Sequence, residues 1–197
     1  NEYKAFLNKK FGDITSPKQG LITADNNRFL RFWYELNKDT ISPIPNSLHE
    51  PIHKWYIYNK GGDFRRWYGN LIFVVNWEKD GYEIKNFCDE SGKVKSRPQN
   101  IEYFFKEGIT WSDIATTLGV AGRWLPAGCI FDGSGPSAFM NVEYQYLILG
   151  LLNSSFIKRM GNVLNPTLHF TLSDFSNLPL PHNEKNYKEI EVLVREA

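Results

Sequence analysis

Lys54-Trp55-Tyr56-Ile57-Tyr58-Asn59-Lys60-Gly61-Gly62-Asp63-Phe64-Arg65-Arg66-Trp67-Tyr68-Gly69-Asn70-Leu71-Ile72-Phe73-Val74-Val75-Asn76-Trp77 is the most informative stretch of the chain. Its second half is an apolar, β-branched run, which predicts a strand over residues 71–77. Its first half interleaves Lys54, Lys60, Arg65 and Arg66 with Trp55, Tyr56, Tyr58, Phe64, Trp67 and Tyr68 around a Gly61-Gly62 pair. Guanidinium forks grip phosphates in pairs of hydrogen bonds, and planar rings lie against bases. A core strand has no use for two consecutive arginines, so the stretch predicts a nucleic-acid surface joined to a buried strand.

Outward from this stretch, the elements are short and mixed. Asp25 is placed as the N-cap of a helix running to about Asn37, with Phe29, Trp33 and Leu36 at helical spacing. Three prolines make residues 41–51 an extended connector. Residues 63–68 are expected to form one helical turn, Lys79-Asp80-Gly81 a turn, residues 89–97 a polar loop, and residues 99–106 a short helix. Strands are expected over 109–116, 122–126, 128–132 and 166–172, with helices over 143–160 and 184–195. The fold class is therefore α+β: a compact, mixed, largely antiparallel sheet with several flanking helices and a C-terminal helix.

A length of 197 residues suffices for a real core, and 15% aromatic content argues for a folded globule. The net charge is +1, so any nucleic-acid contact has to come from a local patch rather than from the field of the whole chain. Two cysteines, Cys88 and Cys129, lack C-x-x-C spacing and suit a reduced cytosol better than a disulfide framework or zinc site. No apolar run is long enough for a membrane span. The absence of an initiator Met suggests an excised piece of a longer protein.

Three patterns imitate catalytic motifs. His49-Glu50-Pro51-Ile52-His53 spells the zinc-protease signature, but Pro51 inside it opposes the helix that signature needs. Phe131-Asp132-Gly133-Ser134-Gly135 imitates a methyl-donor loop, yet Pro136 and an extended stretch follow where a helix N-terminus should be, so a tight turn is expected. Asn165-Pro166-Thr167-Leu168 lacks the second proline and aromatic ring of an Asn-Pro-Pro-Tyr loop. A nuclease built on Asp63, Glu83 and Lys85, with the last two on one strand face, is a remaining alternative.

Three longer stretches carry a family resemblance: Gly20-Leu21-Ile22-Thr23-Ala24-Asp25 through Arg31; Lys54 through Gly69 with Val75-Asn76-Trp77 and Ile84-Lys85-Asn86-Phe87; and Ser96-Arg97-Pro98-Gln99-Asn100 with Tyr103 through Ser112. They resemble the C-terminal part of adenine-specific DNA methyltransferases of the PglX type, found in BREX phage-resistance systems. Leu149 through Ser154, Asn165-Pro166-Thr167 and Leu178-Pro179-Leu180-Pro181 likewise resemble the end of target-recognition domains in type I specificity subunits, type IIG restriction-modification enzymes and TaqI-like methyltransferases.

The resemblance implies that residues 1–181 are a DNA target-recognition domain, with residues 182–197 beginning a C-terminal helix. It implies S-adenosylmethionine as cofactor of a parent enzyme whose catalytic domain lies upstream, and none held by this chain. Double-stranded DNA, that catalytic domain and other defence-system subunits would be its partners. Lys54, Lys60, Arg65 and Arg66 are the expected phosphate contacts, with Gly61 and Gly62 admitting the strand closely. Arg97, Gln99 and Asn100 are candidates for base edges. Arg28 and Arg31, three apart on the expected helix, and Arg123 complete the set. A second class of function is a protein-interaction module, with 143–160 and 184–195 as docking helices.

Overall fold

Residues 7, 9–44, 53–114, 120–165, 167, 169–182 and 184–196 are described by a computed structural model. They contain strands β1 (Thr15–Lys18), β2 (Leu30–Phe32), β3 (Trp55–Asn59), β4 (Phe73–Asn76), β5 (Gly108–Thr110), β6 (Arg123–Leu125), β7 (Ile130–Phe131) and β8 (Ser137–Met140). The α-helices are α1 (Asn26–Phe29), α2 (Glu78–Lys85), α3 (Val142–Leu152), α4 (Ser155–Leu164), α5 (Leu172–Asn177) and α6 (Tyr187–Arg195). The class is α+β, as expected.

The strands form two sheets, in the orders β2-β4-β3-β7 and β1-β8-β5-β6. Every pairing is antiparallel except β3 with β7. The first sheet is built on β3, all five of whose residues are buried, and on the Val74-Val75 core of β4. Burying aromatic and β-branched side chains at these positions contributes about 1.5–3 kcal/mol apiece. The second sheet is covered by the helices, with Trp111 stacked on Phe175 at 4.3 Å and Leu147, Ile148, Leu151 and Leu152 of α3 packed inside. Asn59 joins the sheets, its Nδ2 donating to Thr110 Oγ1 at 2.6 Å and to the Gly135 carbonyl at 3.1 Å.

Several expected elements take their predicted form. Asp25 accepts from the Arg28 amide at 3.0 Å as an N-cap. Lys79, Asp80 and Gly81 all have positive φ and form a left-handed turn within α2, where a Cβ on Gly81 would meet the Trp77 ring at 2.6 Å. The Phe131–Gly135 segment is a tight turn passing from β7 into β8.

Others are corrected. The helix expected to reach Asn37 stops at Phe29, and the chain becomes the edge strand β2, with Leu30 opposite Val75. Pairing with β4 buries Leu30 and leaves Trp33 at 41% exposure instead of facing the core. The expected turn at 63–68 is not helical: Trp67 adopts φ 69° and bridges Arg123. Residues 143–160 divide at Asn153 and Ser154. Asn153 Nδ2 donates to the Gly122 and Leu149 carbonyls, and Ser154 Oγ caps α4 by accepting from Ile157. Polar side chains that bond the backbone stop one helix and start the next. Around 166–172 the described residues hold only a bridge from His169 to Ile114, after which Thr171 opens a capping box for α5. Residues 45–51 of the predicted connector lie outside the described residues, and so do His49 and Glu50 of the zinc-protease pattern.

Candidate nucleic-acid interface

The Gly61–Asn70 loop leaves β3 and returns along β6. Trp67 donates its amide to the Gly122 carbonyl at 2.9 Å, and the Trp124 amide donates to the Trp67 carbonyl at 2.7 Å. These bonds hold the loop open, with Arg65 and Arg66 exposed on its outer side. Arg66 lies over the Phe64 ring at 5.5 Å, and neither arginine forms an ion pair among the described residues. Arg65 is laid across Gly69, where a Cβ would sit 2.3 Å from its Cδ.

Neighbouring loops extend this ridge. Ser134 Oγ donates to the Lys60 carbonyl at 3.0 Å, and Ile22 packs against Gly133. The Ile22 and Arg97 backbones exchange two hydrogen bonds, which leaves the Arg97 side chain exposed. Asp132 organises the turn, accepting from the Ser134 amide and hydroxyl at 2.6 Å and from the Tyr58 hydroxyl at 2.5 Å. Burial and then Asp132 push the Tyr58 phenol well above its usual pKa, so it remains a donor.

The remaining candidates sit in more committed positions. Lys60 is 3.9 Å from Asp132, and Lys54 is 3.7 Å from Glu78. Gly62 is exposed, whereas Gly61 is buried against its own chain, a Cβ there meeting the Ser134 carbonyl at 2.5 Å. Gly61 is therefore required by the closure of its own loop against the Ser134 turn. Gln99 Nε2 reaches the Gly20 carbonyl at 3.3 Å and Asn100 Nδ2 the Gln19 carbonyl at 2.8 Å, so both side-chain amides are engaged internally. Arg28 gives Nε and Nη2 to Glu83 at 3.0 and 2.8 Å. Arg31 is in β2, not on a helix with Arg28, and donates to the Asn27 and Leu30 carbonyls. Arg123 is only 1% exposed and out of direct reach from outside.

The nuclease trio is not brought together. Glu83 and Lys85 lie on helix α2 rather than on a strand, and Lys85 pairs with Asp80 at 2.6 Å. Among the described residues no three His, Cys, Asp or Glu side chains cluster as metal ligands would. Nor does the Phe131–Gly135 turn fit a methyl donor, since it opens onto β8 and Asp132 is spent within it. A cavity of about 320 Å³ lined by Gln19, Asp113, Gly133, His169 and Phe170 carries a carboxyl group, its pKa raised by burial, that does not suit phosphate. Sequence reasoning expected the Phe131–Gly135 turn but missed the role of the Asp132 carboxylate in holding it to Tyr58, and missed Ser112, which carries no local signal.

Of the described residues, no helix is long and apolar enough to cross a membrane. Cys88 is exposed and Cys129 is buried, and burial pushes the Cys129 thiol up to about 12.

No family model matches the chain. It is 35% identical over 182 residues to the adenine-specific methyltransferase PglX of Lacticaseibacillus casei (strain Zhang), an alignment covering 91% of this chain and 15% of that protein. It is 34% identical over 158 residues to the adenine-specific methyltransferase BrxX of Escherichia coli O9:H4 (strain HS), covering 79% of this chain and 12% of that one. The chain is a homologue of part of such methyltransferases. It spans less than a sixth of the length of either relative.

Proposed function

We propose that the chain is the DNA target-recognition domain of a BREX-type, adenine-specific methyltransferase acting in phage defence. In this reading S-adenosylmethionine and the methyl-transfer chemistry belong to other parts of the enzyme. This domain holds duplex DNA so that adenine can be flipped into a pocket elsewhere. The observation that carries the proposal is the pair of exposed guanidinium groups, Arg65 and Arg66, without an ion pair among the described residues, on a loop tied by backbone bonds to Gly122 and Trp124. Arg97, Lys54 and Lys60 would extend the phosphate track, and Tyr68, 54% exposed, offers a ring beside it.

The test is titration of the purified chain with a duplex oligonucleotide at several salt concentrations. Each neutralised phosphate contributes about −0.9 to the slope of log K against log salt. Replacing Arg65 and Arg66 together by Ala should make that slope shallower by roughly 2 units. Binding that ignores salt, or no binding at low salt, would overturn the reading.

An interaction module is the second reading, and one observation favours it. Trp33, Tyr34 and Ile72 are exposed together along the β2 edge, with Trp33 bonded through its amide to the Ile72 carbonyl. Such a patch suits docking against another domain of the enzyme or a further defence subunit. The helix pair first expected in that role is less suited to it: α6 packs on α3, with Gly150 against Ile190 and Val194. Tight association with the methylase portion in the absence of DNA affinity would favour this reading.

A further inference from the structure

Arg123 is a buried cation that lacks a counter-charge among the described residues. It lies in β6 with 1% of its surface exposed, and its Nε meets no acceptor among the described residues. Nη2 donates to Ser112 Oγ at 3.3 Å, and that hydroxyl in turn donates to the Gly62 carbonyl at 3.0 Å. No carboxylate forms an ion pair with it among the described residues. Directly over it runs the exposed arginine loop, bridged to β6 at Trp67 and Arg123. Burial, and then the charge of Arg65, pull the Arg123 guanidinium down to about 10.

An arginine placed there only to support the fold would have its donors satisfied, because a buried unpaired charge is costly. Here one bond is long and, among the described residues, Nε has no acceptor, while the loop bridged to β6 at Trp67 carries Arg65 two residues earlier. A buried guanidinium with no carboxylate partner among the described residues, beneath a loop that carries a second guanidinium, makes a site that is complete only when an anion arrives. Resting on the DNA-recognition reading, we propose that Arg123 and Arg65 form an anion site whose occupant is a backbone phosphate of duplex DNA. Arg65 makes the contact from the exposed loop. Arg123 is a positioning residue that strengthens the field from beneath, where low polarizability leaves its charge weakly screened. Ser112 ties it to the Gly62 turn.

The experiment compares the full chain with Arg123→Met and Arg123→Lys, reading thermal stability and duplex affinity on the same samples. Met fills similar volume without charge, so Arg123→Met should keep or raise the melting temperature while duplex affinity falls about tenfold. Arg123→Lys should retain most of the affinity. Inorganic phosphate should raise the melting temperature of the wild type more than chloride at equal ionic strength, and should have no such effect on Arg123→Met. Lower stability with unchanged affinity in Arg123→Met would overturn the proposal and mark a structural arginine. If Arg123→Met does not fold, absence of the phosphate effect in the wild type overturns it as well. Failure of the two readings is separable. Duplex binding lost in the Arg65 and Arg66 variant but kept in Arg123→Met sinks only this inference. A phosphate effect without duplex affinity sinks the DNA reading and leaves the anion site to a free phosphate-bearing ligand.

Discussion

Arg28 and Arg31 on one flank of the first sheet, and Arg65 and Arg66 on the loop leaving β3, are the same residue type put to opposite uses. Arg28 is closed by a two-nitrogen grip on Glu83 and lies over Phe87 at 5.0 Å. Arg31 spends Nη1 on two backbone carbonyls and faces Trp55. Arg65 and Arg66 have neither a carboxylate nor a backbone carbonyl partner among the described residues, Arg66 lying only over the Phe64 ring, and the acid nearest them in sequence, Asp63, forms no ion pair there. Asp132, in the turn that bonds the Lys60 carbonyl, is already engaged by Tyr58, Ser134 and Lys60. A guanidinium held to a carboxylate has little left to offer a phosphate, whereas one without a partner gains the full charge-assisted bond. The abundance of arginine is thus a poor guide to where a ligand binds. The distribution of the acids that could neutralise it is a better one.

The strongest way to break the contrast is to disturb the turn that presents the free pair. Gly61→Ala adds a Cβ at φ 69° and only 2.5 Å from the Ser134 carbonyl. Left-handed backbone alone costs an L-residue about 1–2 kcal/mol, and the clash adds to that. Denaturant unfolding should lose at least this amount, and duplex binding should weaken together with stability because the loop is misplaced. Unchanged stability would mean that the turn does not hold the loop.

The parts of this arrangement that were legible in sequence are those whose causes are local. The β4 strand followed from the Val74-Val75 run, the cap from Asp25, the left-handed turn from Lys79-Asp80-Gly81, and the Phe131–Gly135 turn from its glycines and Pro136. The parts that were not legible have causes far along the chain. Helix α1 is cut short by the ladder with Val75, and the long helix is divided by Asn153 reaching the Gly122 carbonyl. The same holds at the interface: Arg65 and Arg66 were chosen for their chemistry, but Glu83 lies 55 residues from Arg28, and Gln19 lies 81 residues from Asn100. Sequence identifies a side chain able to bind phosphate or a base. Only the fold decides whether another part of the chain has claimed it.

Arg97 extends the contrast along the ridge. Its backbone is fixed by two bonds to Ile22, so truncating its exposed side chain should leave the fold intact. If it faces the same duplex as Arg65 and Arg66, Arg97→Ala should make the salt slope shallower by about 1 unit and leave the melting temperature unchanged. An unaltered slope would confine the phosphate track to the Gly61–Asn70 loop.

Glu83→Gln has the smallest expected effect and addresses the closed pair directly. The Arg28–Glu83 bridge is about half exposed on both sides, at 51% and 48%, so its loss should cost only about 0–1 kcal/mol. Asn76 Nδ2, now bonded to Glu83 Oε2 at 3.1 Å, retains an oxygen acceptor in the amide. The substitution also adds one positive charge to the chain and releases Arg28. If that flank lies away from DNA, the gain in duplex affinity should stay within about twofold at moderate salt, because exposed charges more than ~10 Å from the ligand are largely screened. A gain of tenfold or more would place Arg28 on the duplex, and the division between the two arginine pairs would then reflect a regulated counter-ion rather than separate faces of the molecule.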